Sequence, residues 1–195
     1  VTDLAHRLMD NIASMYSINR LTGYLKSLGH KVPKSSVSDY LVWFEDAYFL
    51  FSVHKFDASL TRRRVNPKKI YCIDHSLVNS VSSGILVNSG HLLENLVFTA
   101  LRRVSKDIYY YRSRNNLEVD FIVQSNDPKH QLIQVTQSLT DPQTRKREVS
   151  ALNEAMEELN LSHGCIVTLN EEESILSDQR EISVIPAWRF LLDVI

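Results

Sequence analysis

From residue 18 onward apolar side chains recur at helical spacing: Ile18, Leu21, Leu25 and Leu28 form one stripe. Ser17 stands where an N-cap belongs and Gly29 where a helix ends. Pro33 breaks the chain, and Ser35 or Ser36 can cap a second helix with the stripe Val37, Tyr40, Leu41, Phe44 and Tyr48. An aromatic-rich run, Tyr48–Phe56, predicts a strand, and Lys69–Ile73 predicts another. Between them lies a basic loop with Arg62, Arg63, Arg64, Lys68 and Lys69 around Pro67.

The second half predicts the order helix, three strands, helix, strand. His91–Lys106 carries Leu92, Leu93, Leu96, Val97, Phe98, Ala100, Leu101 and Val104 around most of its circumference, the pattern of a buried helix, with Glu94 inside the run. Ile108–Tyr111 is a β-run. Leu117–Val123 alternates, with Leu117, Val119, Phe121 and Val123 on one face and Glu118, Asp120 and Ile122 on the other. Leu132–Leu139 alternates too, placing Gln134 and Thr136 on one face. Asp141 caps a helix opened by Pro142, with the stripe Val149, Leu152, Met156 and Leu159. Cys165–Leu169 is a buried-looking strand, Glu181–Ile185 adds one more, and Pro186–Asp193 is a closing helix. The expected fold is α/β (α+β) with a mixed central sheet. The stretch from Ser82-Ser83-Gly84 to Gly90 is the best boundary, dividing residues 1–84 from 85–195.

Composition changes this picture little. The 195 residues are 44% hydrophobic and 23% charged, which excludes wholesale disorder. Two Cys without a CxxC argue against a disulfide framework or Cys-rich zinc site and for a reducing compartment. No apolar run approaches the roughly 18 residues of a membrane span, so a cytoplasmic protein without a membrane partner is expected. Val1-Thr2-Asp3 is neither an initiator Met nor a signal peptide, and suggests a fragment of something longer. Charge is uneven: residues 1–89 hold eleven Lys and Arg against seven Asp and Glu, whereas residues 90–195 hold eleven against sixteen.

Two helices followed by a two-stranded ribbon with a basic tip predict a winged helix-turn-helix over residues 1–84. Such a module reads DNA with its second helix while the wing touches phosphate. The candidate contacts are Lys34, Ser36 and Ser38 at the helix start, and Arg62, Arg63, Arg64, Lys68 and Lys69 in the loop. Winged helices also dock proteins, and Asp39, Glu45 and Asp46 make this helix a poor polyanion binder. Other motifs are weaker. Seven His without HxH or HExxH argue against a zinc enzyme. Asp74-His75-Ser76 suits a turn or helix cap better than a triad, and Glu171-Glu172-Glu173 suits a solvated loop.

The strings YLVWFEDAYFLFSV, KKIYCIDHSL, GHLLENLVFTAL, YYYRSRNNLEVDFIV and LIQVTQSLTDPQTRKREVSAL resemble the uncharacterised C-terminal region of prokaryotic AAA-type ATPases. The resemblance runs over nearly the whole chain from about Ser17. It implies a winged helix followed by a restriction-endonuclease-like domain of the PD-(D/E)XK superfamily, behind an ATPase domain. No Gly here precedes Lys and Ser or Thr, so the Walker A loop is missing, ATP belongs to that other domain, and this chain should not hydrolyse it.

Nucleases of this type use a hard divalent cation to activate water and stabilise the phosphate. By resemblance Glu94 matches the helix Glu and Asp120 the strand Asp, the two residues that would hold Mg²⁺ or Mn²⁺. Glu118 shares the face of Asp120. The expected Glu-x-Lys of the third strand becomes Gln134-Val135-Thr136, so one negative charge and the water-orienting cation are lost. Arg112, Arg114, Arg145 or Lys146 could stand in for the missing Lys. The site reads as degenerate, and a competing reading has Glu94, Glu118 and Asp120 as a metal-free cluster paired with Arg112 or Arg114. Two functions follow. One is a DNA- or RNA-binding module that does not cut. The other is an interaction module that docks on its own ATPase domain, on a second copy or on a partner. A metal-dependent nuclease ranks third.

Overall fold

The computed structural model describes residues 1–81, 89–124, 130–177 and 179–194. The proposed boundary segment falls largely outside these. The described residues form eight helices and one nine-stranded mixed sheet.

The N-terminal part of the chain comprises α1 (Thr2–Met9), β1 (Met15–Tyr16), α2 (Ile18–Ser27), α3 (Lys34–Asp46), β2 (Leu50–Lys55), α4 (Leu60–Val65), β3 (Lys68–Cys72) and α5 (His75–Val81). Ser17 Oγ accepts from Arg20 N and caps α2, and Gly29 takes φ 86°, a left-handed conformation that only glycine adopts freely. α3 departs from expectation. It begins at Lys34, and its N-cap Pro33 supplies a fixed φ rather than a hydroxyl. The basic loop is different too: Arg62, Arg63 and Arg64 lie in α4, capped by Ser59, while Lys68 and Lys69 belong to β3.

The C-terminal part runs α6 (Ser89–Val104), β4 (Ile108–Arg112), β5 (Glu118–Val123), β6 (Gln131–Val135), α7 (Pro142–Leu159), β7 (His163–Thr168), β8 (Glu173–Ser177), β9 (Arg180–Pro186) and α8 (Ala187–Val194). Asp141 accepts from Thr144 N and caps α7 as expected. Glu171–Glu173 is not simply a solvated loop: Glu171 accepts from Leu139 N, and Glu173 opens β8.

The sheet order is β1-β3-β2-β4-β5-β6-β7-β9-β8. β2 is the seam, antiparallel to β3 on one side and parallel to β4 on the other. One core lies under α1, α2, α3 and α5. A second lies between the sheet and α6 with α8, and a third between the sheet and α7. β3 serves two of them. Ile70 and Cys72 pack into the first core, while Tyr71, two residues from Lys69 and on its face, packs into the second.

One irregularity decides how the site is built. Tyr109 pairs with Ile122 but Tyr111 pairs with Val119, so β5 uses three steps where β4 uses two. This is a β-bulge at Asp120-Phe121. It breaks the alternation expected for this strand: Val119 and Ile122 face α7, whereas Phe121 and Val123 face α6. No described helix is long and apolar enough to cross a membrane. Both cysteines are free.

Candidate functional site

Three elements converge on one ammonium group. Lys69 Nζ on β3 lies 2.9 Å from Glu94 Oε1 on α6, 2.8 Å from Glu118 Oε1 and 2.8 Å from Asp120 Oδ1 on β5. The Lys69 side chain is 4% exposed. Tyr71, two residues on and on the same strand face, donates its hydroxyl to Glu94 Oε1 at 2.6 Å. Asp120 Oδ2 accepts from Val135 N at 3.0 Å. At the rim Arg112 Nη2 pairs with Glu118 Oε2 at 2.8 Å.

The structure therefore brings Glu94, Glu118 and Asp120 together. Gln134 touches only the backbone of Asp120, from the opposite face of the sheet, and Thr136 lies apart. Gln134 lies on the α7 side of β6, where its Oε1 accepts from Asp120 N at 3.1 Å and its Nε2 donates to Glu148 Oε2 at 2.7 Å. Arg147 closes that chain on Glu148. Thr136 lies just past the end of β6 and bonds weakly to Ser138 O. Of the cations considered as stand-ins, Arg112 reaches Glu118, Arg145 is paired with Glu173, and Arg114 offers only its backbone N–H to Glu158.

Sequence reasoning gave Lys69 to phosphate and did not single out Tyr71, Arg147 or Glu148. A signal existed: Lys69 and Tyr71 are two apart in a strand whose other face, Ile70 and Cys72, is apolar. Their partners lie 23 to 51 residues away, beyond any local pattern.

Burial would strip Lys69 of its proton, but Asp120, Glu94 and Glu118 outweigh it and hold the ammonium well above its usual range. Burial, with the negative charge of Asp120, pushes Glu94 up from 4.5 to about 7, against the pull of Lys69 and the Tyr71 hydroxyl. Glu118 is also burdened by burial, but Lys69 and Arg112 hold it below the usual carboxylate value. Burial raises Glu148. The Glu94 shift has a pH consequence. The folded protein keeps a proton there that the unfolded chain releases near pH 4.5, so that increment of stability is complete below about 4.5 and fades as pH rises through about 7. Thermal unfolding is expected to show a falling Tm across this window, flattened in Glu94→Gln, whose amide oxygen still accepts from Lys69 and Tyr71. An equal slope in both proteins would assign the effect elsewhere.

The other sequence candidates lie apart from this cluster. Lys34 and Ser38 are exposed and Ser36 half-buried on the first turns of α3. Arg62 pairs with Asp57 at 2.9 Å. Arg63 donates to the Asp57 carbonyl and lies over the Tyr109 ring at 5.1 Å. Arg64 lies in α4 between them and Val65. Lys68 is half-buried in a cavity of about 280 Å³ with Ser38 and Glu45. Lys69 is enclosed and cannot meet phosphate. Asp74 caps the start of α5 through Ser76 N, and His75 Nε2 meets Leu92 O, the cap role expected of that string.

A carboxylate trio on a helix and an adjacent strand suits a divalent cation by its donors, but here its facing oxygens are already bound to an ammonium. Among the described residues no group of three or more His, Cys, Asp or Glu is arranged to hold a metal ion.

Comparison with known proteins adds a family. Residues 2–86 match the domain of unknown function DUF8612, and residues 89–190 match the domain of unknown function DUF4143. The chain is 33% identical over 198 residues to the uncharacterized protein MJ1544 of Methanocaldococcus jannaschii, covering 97% of this chain and 43% of that protein. It thus spans under half the length of that relative. No solved structure gives a significant match. The chain belongs to the DUF4143 family, a domain often found at the C-terminus of AAA ATPases.

Proposed function

We propose that this chain is a non-catalytic docking module of an AAA-type ATPase: a winged helix fused to a restriction-endonuclease-like domain whose cation position is filled from within by Lys69. The observation that carries the reading is the contact of one ammonium with Glu94, Glu118 and Asp120 at 2.8–2.9 Å. A Mg²⁺ ion needs oxygen ligands at about 2.0–2.1 Å and keeps several waters. Lys69 takes both the volume and the negative charge that such an ion would use. A water-orienting lysine must also face water and phosphate, and this one is enclosed between β3, β5 and α6.

Docking of a protein is favoured over nucleic acid by how the basic residues are spent. Arg62 is neutralised by Asp57, Arg63 is folded over Tyr109, and Lys69 is buried. Of the candidate cations, Lys34, Arg64 and Lys68 are left to the nucleic-acid reading. Fluorescence anisotropy of labelled duplex and single-stranded DNA over a salt series separates the two. We expect no steeply salt-dependent binding. Tight binding that salt weakens, and that Arg62→Ala with Arg63→Ala and Arg64→Ala abolishes, would restore the nucleic-acid function.

A further inference from the structure

We propose that the outward face of α3 is the docking surface, and that its partner is a basic, amphipathic protein segment; this rests on the docking reading above. α3 buries Val37 and Leu41 against the first core, yet Val42, Trp43 and Tyr48 stand 51%, 59% and 66% exposed. Trp43 is not a loose side chain: the half-buried Tyr40 ring lies 5.3 Å away and fixes its orientation. A pre-set aromatic on a helix face lowers the ordering cost of binding and is the residue type that dominates interfaces.

Tyr48 points the same way for an independent reason. It takes φ 54° just past the end of α3, the left-handed position usually held by Gly or Asn. Its ring touches Phe51 only edge-on at 6.0 Å. Neither the backbone nor the core calls for a tyrosine there.

Charge selects the partner. Asp39 and Asp46 are exposed on this face and, among the described residues, neither is in an ion pair; Asp39 has no cation near it on α3, whereas Asp46 and Tyr48 border a cavity of about 350 Å³ that Arg102 and Lys106 also line. Several acids elsewhere on the surface are matched, as in Asp57–Arg62, Glu172–Arg189 and Glu173–Arg145. α3 has no basic residue after Lys34, and Glu45 with Asp46 adds negative charge at the already negative end of the helix dipole. A helix so charged repels phosphate. It suits a segment whose Lys or Arg side chains meet Asp39 and Asp46 and lie over Trp43 and Tyr48, with apolar side chains against Val42 and Trp43.

The test is fluorescence anisotropy with a labelled synthetic amphipathic Leu/Lys helix as the probe, at physiological salt, on the 195-residue chain. Binding should be saturable. It should weaken at least ~10-fold in Trp43→Ala, and likewise in Asp39→Lys with Asp46→Lys. It should be unchanged in Trp188→Ala, an equally exposed tryptophan flanked by Arg189. These positions are exposed, so folding is preserved and circular dichroism checks it. No binding, or equal losses in Trp43→Ala and Trp188→Ala, overturns the surface. Duplex DNA binding that Trp43→Ala weakens assigns the face to nucleic acid instead. Failure of the peptide leaves the cation-site reading intact, because that stands or falls on metal-dependent cleavage.

Discussion

Lys69→Met is expected to destabilise the protein by about 3–5 kcal/mol, the range for removing one partner from a buried ionic group. Methionine keeps the length of the stem, so little packing is lost. What remains is Glu94, Glu118 and Asp120 with their cation gone, in a pocket where the lysine side chain was 4% exposed. The carboxylates then take up protons rather than stay charged. Urea unfolding should therefore show a loss that is smaller at pH 5 than at pH 8. Arg112→Met is the internal control. It removes a cation from the same cluster, but from a side chain 33% exposed, and should cost about 1 kcal/mol or less. Equal losses in the two variants would mean that Lys69 is no more than a surface cation.

Asn95→Ala is expected to cost about 2–6 kcal/mol, although no charge is involved. Asn95 is fully buried on α6. Its Oδ1 accepts from Cys72 N at 2.8 Å, and its Nδ2 donates to Cys72 O at 3.0 Å. The amide acts as a short strand at the end of β3 and ties the two halves of the chain together. Alanine leaves a buried N–H and a buried C=O unmatched, at about 1–3 kcal/mol each. Denaturant unfolding of Asn95→Ala beside Thr99→Ala, a half-buried residue of the same helix bonded only to Leu96 O, isolates the cross-chain contribution. A loss no larger than that of Thr99→Ala would contradict it.

What the chain revealed in advance was what local chemistry controls. Ser17, Gly29 and Asp141 mark helix ends because a cap is decided within a few residues. The β4–β5–β6 run and the apolar α6 follow from side-chain period. What stayed hidden depends on distant partners. α4 was obscured because three consecutive arginines read as a loop tip, and the edge strand β8 because only Ile175 of its side chains packs inward. The bulge at Asp120-Phe121 is a register feature between strands, so strict alternation put Phe121 with Val119. The same limit applied to the site. Glu94, Glu118 and Asp120 were legible as a cluster, but the cation that fills it comes from β3, where a lysine beside another lysine looks like a phosphate contact.

The most direct measurement is cleavage of supercoiled plasmid and of linear single-stranded DNA with Mn²⁺, comparing wild type with Asp120→Ala. A cation position filled by Lys69 predicts no cleavage above background in either protein. Mn²⁺-dependent cutting by wild type that Asp120→Ala abolishes would contradict the account, because the carboxylates would then be releasing Lys69 to hold a metal ion.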